Sequence, residues 1–234
     1  MRITLPSGTS AELATPSTGT SAGAAPGAST RTAGDASGRG LVLLPDIMGL
    51  RPLFDDHVAR LADEQGWVVC APEPFPGFED EPLDWRMGHA GEVSDRRRLD
   101  DALAAADATG CDAVGILGFC MGGMLALKAA GTGRFDHAVA FYGMIRTPEA
   151  WQHDGFVEPL DTVTAQGACP VLLIAGTEDS FTPPADLEAL EATGAQVVRY
   201  EGAQHGFVHD ASRPTHRAED AADAWRRAIA FLDG

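Results

Sequence analysis

From residue 40 onward, short apolar segments alternate with longer segments rich in alanine and leucine. Strands that alternate with helices usually pair in parallel and carry the helices on both faces of one sheet. The predicted strands are 41–44, 67–71, 113–118, 137–143, 171–176 and 195–200. The predicted helices are 53–65, 93–109, 121–131, 184–193 and 215–232. The sequence therefore predicts an α/β fold with a mostly parallel central sheet.

The N-terminal 39 residues follow a different pattern. Residues 2–14 suggest two short strands joined at "PSGT", which is typical of a hairpin. Residues 15–39 contain only Ala, Ser, Thr, Gly and Pro, apart from Arg31, Asp35 and Arg39. Such a segment cannot bury a core of its own. We interpret it as an enlarged loop inside a single domain that spans residues 1–234.

Charge and cysteine usage exclude several classes of function. A net charge of −17 argues against nucleic acid or an anionic membrane surface as a partner. No apolar run approaches the ~20 residues of a membrane helix, and "MRITLPSG" lacks a signal-peptide core, so we expect a cytoplasmic protein. The four cysteines form no C-x-x-C pair, and no Cys/His group has the spacing of a zinc site. The sequence therefore predicts no metal site.

The stretch "GILGFCMGGM" carries the pattern G-x-C-x-G, with Cys120 between Gly118 and Gly122. The pattern stands between a predicted strand and a predicted helix. A nucleophile in such a turn is held on strained backbone with its reactive atom clear of the sheet. Glycine on either side allows the strand and the helix to approach closely. Cys120 is therefore a candidate nucleophile.

Two further reactive residues follow predicted strands. Asp179 comes after strand 171–176, and His205 comes after strand 195–200. The order nucleophile, acid, histidine is that of the α/β-hydrolases. In such a triad the imidazole accepts the proton of the thiol, and the aspartate fixes the tautomer of the imidazole. The oxyanion would bind the N–H of Met121 and the N–H of Ile47, in the loop after the first core strand.

Each residue alone also has a simpler interpretation. Cys120 could be an inert thiol in a tight turn, Asp179 could cap a helix before Pro183, and His205 could be an ordinary surface or core histidine. The three in this order, each after its own strand, are much less common by chance. The prediction of a catalytic triad therefore rests on the three residues together.

Several stretches resemble the dienelactone hydrolase family. They are "LLPDIMGL", "CAPEPFPG", "GILGFCMGGMLAL", "AVAFYGM", "VLLIAGTEDSFTPP" and "YEGAQHGFVH", and the resemblance covers roughly residues 40–234. It implies an α/β-hydrolase fold, with Cys120, His205 and Asp179 as the catalytic residues. It also implies opening of enol-lactones, notably of dienelactone to maleylacetate, without a metal or organic cofactor.

The resemblance also suggests residues around the triad. The family usually carries a glutamate after the first core strand that contacts the resting thiol; here Asp46 stands at that position and would tune the thiol, or would be a plain turn residue. For the arginines that hold the substrate carboxylate, the matching candidates are Arg86 and, in place of arginine, His209. Tyr142 matches an aromatic residue of the family's pocket, and it could equally belong to the core.

The sequence thus predicts a hydrolase of small lactones or esters that needs no cofactor. Two alternatives remain open at this point. The same machinery could act on another acyl substrate, such as an uncharged ester or a thioester. Alternatively, Cys120 could be a redox-sensing thiol on a catalytically silent fold, although no second cysteine lies near it in the sequence.

Overall fold

The computed structural model describes residues 1–17 and 38–234. Most of the predicted loop at 15–39 therefore lies outside the described residues. Within them, the chain forms one eight-stranded sheet in the order β1-β2-β4-β3-β5-β6-β7-β8. The strands are β1 (Arg2–Thr4), β2 (Ser10–Ala14), β3 (Gly40–Leu44), β4 (Val68–Pro72), β5 (Val114–Phe119), β6 (Ala138–Phe141), β7 (Val171–Gly176) and β8 (Gln196–Tyr200).

The sheet is mostly parallel, as predicted. Strands β3 to β8 pair in parallel, whereas the N-terminal hairpin joins them through an antiparallel β2–β4 pair. Every residue of the central strands β3, β5, β6 and β7 is buried. Parallel strands covered on both faces need such continuous apolar runs, and this is why these segments were recognisable in the sequence.

Helices cover both faces of the sheet. They are α1 (Pro52–Gln65), α2 (Leu83–Gly88), α3 (Asp95–Ala108), α4 (Met121–Ala130), α5 (Pro159–Thr162), α6 (Pro184–Glu191) and α7 (Ala218–Leu232). The five longest match the predicted helices. Helices α2 and α5 were not predicted, because six and four residues are too few to display a helical period.

Two apolar cores lie on opposite faces of the sheet. One packs α3, α4 and α6 against the sheet, and the other packs α1 and α7 against it. All ten residues of α4 are buried. Its one charged residue, Lys128, forms a buried ion pair with Asp95, and a helix that is otherwise apolar all round must be covered by protein on every side. Helix α4 is therefore fixed firmly, and its first residue follows Cys120.

Candidate active site

Cys120 occupies the single residue between β5 and α4. Its backbone has φ 55° and ψ −116°, a region that non-glycine residues rarely adopt. A Cβ on Gly118 would lie 2.1 Å from the carbonyl oxygen of Gly122, so the turn closes only with glycine there. The Cys120 N–H donates to Phe141 O at 3.0 Å. The thiol is therefore presented from a tight, hydrogen-bonded turn.

His205 stands between Cys120 and Asp179. Its Nδ1 donates to Asp179 Oδ2 at 2.8 Å, and the Phe181 N–H donates to Asp179 Oδ1 at 2.9 Å. Nε2 of His205 is buried and has no hydrogen bond of ordinary geometry to any described residue. Cys120 lies near the ring and interacts with it. This arrangement leaves Nε2 free to exchange a proton with the thiol.

The environment of His205 favours its charged form. Burial lowers the pKa of the imidazole, but the hydrogen bond to Asp179 and the interaction with Cys120 outweigh burial and raise this pKa to about 9. The Asp179 side chain is fully buried, so its interaction with the ring is little screened by water. The ring can therefore hold a proton at neutral pH.

The raised pKa of His205 predicts a pH-dependent contribution to stability. A group whose pKa is higher in the folded state stabilises the fold below its ordinary pKa of 6.5, and this contribution disappears as the pH rises through about 9. A shift of this size corresponds to about 3 kcal/mol. We expect the unfolding free energy of the native chain, measured with urea, to fall more steeply between these pH values than that of His205→Gln.

His137→Gln is the matched control for this measurement. Burial lowers the pKa of His137, so its ring stays neutral throughout this pH window. The unfolding free energy of His137→Gln should therefore change with pH in the same way as that of the native chain. If the curves of the native chain and of His205→Gln were also parallel, the stabilised imidazolium would be disproved.

Asp46 follows β3 and is saturated with hydrogen bonds. Arg51 donates to both carboxylate oxygens, at 2.7 and 3.0 Å, and Met48 N–H donates at 3.0 Å. His209 Nε2 and Arg213 Nη2 donate at 2.8 and 3.1 Å. Burial alone would raise the pKa of Asp46, but His209 and Arg51 hold it well below its usual range. Asp46 is a carboxylate whose oxygens are already occupied.

Asp46 makes no direct hydrogen bond to the resting thiol, so direct contact is not found, and its predicted role in tuning the thiol stays a prediction. Its hydrogen bonds to described residues go to the groups named above, and Cys120 is not among them. The side chain is one methylene shorter than glutamate, and two guanidinium groups and an imidazole hold it. His205 is therefore the group that faces the thiol.

The predicted substrate contacts Arg86 and His209 are corrected, and Tyr142 takes the core position that was its alternative. Tyr142, His209 and Arg86 are 0%, 3% and 4% exposed, and none of them lines the cleft beside Cys120. The Tyr142 hydroxyl and His209 Nδ1 share a hydrogen bond. Arg86 forms an ion pair with buried Glu73 and donates from Nη1 to the carbonyl oxygen of Ile47 at 3.2 Å. Sequence position placed these residues near the site, but their side chains turn into the protein.

The open space beside Cys120 and His205 is a cleft of about 410 Å³. One wall is apolar and includes the exposed side chains of Leu83, Met87 and Phe181. The other wall carries Arg51 and Arg213 together with Asp46 and Asp210. Sequence reasoning did not identify Arg51, Leu83, Met87 or Phe181, which carry no motif and reach the cleft only through the fold.

Residues 46–49 form a tight turn, which we call the oxyanion turn. The Gly49 N–H donates to Asp46 O at 2.9 Å, and the Met48 N–H is held by the Asp46 side chain. Ile47 N–H donates to no described residue, and Ile47 is one of the residues that line the cleft. Met121 N–H opens α4, where the first N–H groups have no partner within the helix. The N–H groups of Ile47 and Met121 stay the predicted donors of the oxyanion site.

Residues 1–17 and 38–234 offer no site for a metal ion built from three or more His, Cys, Asp or Glu side chains. This part of the chain also contains no helix that is both long and apolar enough to cross a bilayer.

A mixed sheet with helices on both faces and a strained turn between β5 and α4 define an α/β-hydrolase. Comparison with known proteins gives the family. The sequence profile of the dienelactone hydrolase family matches residues 28–234. The chain belongs to this family.

Individual relatives agree with the family assignment. A carboxymethylenebutenolidase of Rhodococcus opacus is 30% identical over 84% of this chain and 81% of the relative. A Bradyrhizobium protein assigned as a 2-oxo-3-(5-oxofuran-2-ylidene)propanoate lactonase is 30% identical over 82% of both. A solved Klebsiella pneumoniae structure assigned as a dienelactone hydrolase superposes with a TM-score of 0.82 at 25% identity, covering 100% of this chain and 97% of that one. The chain is a carboxylic ester hydrolase.

Proposed function

We propose that the protein hydrolyses small lactones through a catalytic triad of Cys120, His205 and Asp179. The observation that carries this proposal is the placement of His205. Its Nδ1 is bonded to buried Asp179, and its Nε2 is left free beside Cys120. An imidazole oriented by a carboxylate and open toward a thiol is the arrangement that nucleophilic acyl transfer requires.

The reaction follows from these positions. The Cys120 thiolate attacks the carbonyl carbon, and the oxyanion accepts hydrogen bonds from the N–H groups of Ile47 and Met121. Collapse of this intermediate breaks the ring C–O bond, and the leaving oxygen takes the proton of the His205 imidazolium. The product of this half-reaction is a thioester that still carries the opened chain. His205 then removes a proton from water, which attacks the thioester. Collapse of this second intermediate releases the carboxylic acid and expels the Cys120 thiolate, and the proton stays on His205.

The substrate is inferred from the relatives and from the cleft. The relatives carry the names of lactonases whose substrates bear a carboxylate, and the cleft contains two guanidinium groups. The Arg213 and Arg51 side chains are 32% and 23% exposed. We assign the substrate carboxylate to Arg213, since it is the more accessible of the two. This assignment replaces the buried Arg86 and His209.

A second candidate is an uncharged ester. Asp46 and Asp210 already pair with the two arginines, so the polar wall carries little net charge. Leu83, Met87 and Phe181 offer an apolar wall of exposed side chains. A neutral acyl or alcohol group would bury part of this wall.

A substrate pair tests the two candidates. We expect Arg213→Gln to raise the KM for dienelactone by about 10-fold or more, because a hydrogen bond to a charged group is worth about 1.5–3 kcal/mol. The KM for p-nitrophenyl acetate should change by less than about threefold, because this ester has no carboxylate that could bind Arg213. Initial rates on both substrates give these values.

Arg226→Gln serves as the matched control, since Arg226 is an exposed arginine of α7 that pairs with Asp223. It should leave both KM values unchanged. Equal increases for the two substrates in Arg213→Gln would contradict carboxylate recognition. Turnover of the neutral ester alone by the native chain would favour the second candidate.

A further inference from the structure

The buried His209 is fixed at three atoms. His57 of α1 donates from Nε2 to the His209 carbonyl oxygen at 2.8 Å. The side chain bonds to the Tyr142 hydroxyl through Nδ1 and to Asp46 through Nε2 at 2.8 Å. Its ring stacks on Phe119, the residue before Cys120, with the centroids 4.8 Å apart. His209 therefore connects the loop after β8 to the ends of β3, β5 and β6.

The groups on either side of the ring determine where its protons lie. Burial raises the pKa of Tyr142 well above its ordinary value, so its hydroxyl is protonated and donates. Asp46 is ionised and only accepts. Burial and the nearby Arg213 and Arg51 lower the pKa of His209 despite the favourable effect of Asp46. The ring is neutral, with Nδ1 accepting from Tyr142 and Nε2–H donating to Asp46.

Asp46, which is held by His209, in turn holds the backbone of the oxyanion turn. Its Oδ1 accepts the Met48 N–H, and its backbone carbonyl accepts the Gly49 N–H. A side chain that bonds to the backbone two residues later fixes the shape of a turn. Ile47 lies between these anchors, and neither bond uses its N–H. Asp46 therefore fixes the turn in which the Ile47 N–H lies.

We propose that Tyr142, His209 and Asp46 are positioning residues that hold the Ile47 N–H in the direction required to bind the oxyanion. This inference rests on the proposed function and extends it to Tyr142 and His209, whose side chains do not line the cleft. The same turn is held from its other side by Arg86, which donates to Ile47 O. A hydrogen-bond donor that is fixed before the reaction stabilises developing charge without reorganisation.

The two tyrosines of the chain give a matched pair of variants. Tyr142→Phe removes only the hydroxyl that holds His209. Tyr200→Phe removes a comparable hydroxyl, which donates to Asp223 at 2.6 Å. We expect Tyr142→Phe to lower kcat on p-nitrophenyl acetate by about 5- to 10-fold at an almost unchanged KM, because it displaces an oxyanion donor without removing it. Tyr200→Phe should stay within about twofold of the native kcat.

His209→Phe tests the link more severely, because it keeps a ring between the aromatic neighbours and removes both hydrogen bonds. We expect kcat to fall by about 100-fold. Alkylation of Cys120 by iodoacetamide needs the thiolate and the imidazole but no oxyanion site, so its rate should stay within about threefold of native. An equal loss of kcat and of alkylation rate would overturn the proposal, as would a native kcat in both variants.

The tautomer of His209 provides a test that does not depend on turnover. In the ¹⁵N NMR spectrum of the native chain at neutral pH, His209 should carry its proton on Nε2 and none on Nδ1. A doubly protonated ring, or a proton on Nδ1 only, would overturn the network. If the native chain hydrolysed no ester while this tautomer was found, the proposed function would fail and the network would stand.

Discussion

Cys120→Ala is expected to abolish ester hydrolysis, with kcat lower by at least about 1,000-fold. Without the sulfur no thioester can form, and water would have to attack the substrate directly. His205 and the two oxyanion donors remain in place, so a small residual rate is expected. The variant should fold normally, because Cys120 is half-buried and alanine removes only the sulfur from the turn. Initial rates and circular dichroism of the purified variant check both statements.

Cys169→Ala is the matched control for this variant. Cys169 is also half-buried, and it lines a separate cavity of about 320 Å³ at the amino ends of β7 and β8. Burial raises the pKa of its thiol to about 11, so it is a poor nucleophile at neutral pH. It should keep the native kcat. Full activity in Cys120→Ala would contradict the triad, whereas a peroxide-sensitive Cys120 in a native chain without turnover would favour the redox alternative.

The sheet and its main helices could be predicted because their signals are local. Strands β3, β5, β6 and β7 are continuous apolar runs, and such runs are typical of buried parallel strands when helical segments separate them. The short helices α2 and α5 have no such signal. Helix α2 matters for the site, because it brings Leu83 and Met87 to the cleft. Its contribution to the wall could not be predicted from the sequence.

The three residues proposed as a triad could be placed at one edge of the sheet for a similar reason. Cys120, Asp179 and His205 each follow a predicted strand, and the carboxyl ends of parallel strands lie at one edge of the sheet. Tyr142 and His209 lie at the same edge, but the direction of their side chains depends on long-range packing. Tyr142 has φ 41°, and its hydroxyl points to His209 behind the cleft. The direction of these two side chains therefore could not be predicted from their positions in the sequence.

A large loss of stability is expected for Gly122→Ala. A Cβ on Gly122 would lie 2.3 Å from the carbonyl oxygens of Leu44 and Pro45, which are backbone atoms at the end of β3. These atoms cannot rotate away as a side chain could, so α4 must move away from the sheet. Alanine has the better helix propensity by about 1 kcal/mol. Overpacking of a close-packed core costs about 1–3 kcal/mol or more, and here it involves backbone on both sides.

We therefore expect the unfolding free energy of Gly122→Ala, measured with urea, to fall by about 3 kcal/mol, a large share of the roughly 5–15 kcal/mol typical of a domain. Gly88→Ala is the matched control, because its Cβ would meet no atom within 4 Å at an exposed position in α2. That variant should be as stable as the native chain or slightly more stable. Equal stabilities of the two variants would contradict the close contact between α4 and β3. Because Met121 N–H moves with α4, any folded Gly122→Ala protein should also have a lower kcat.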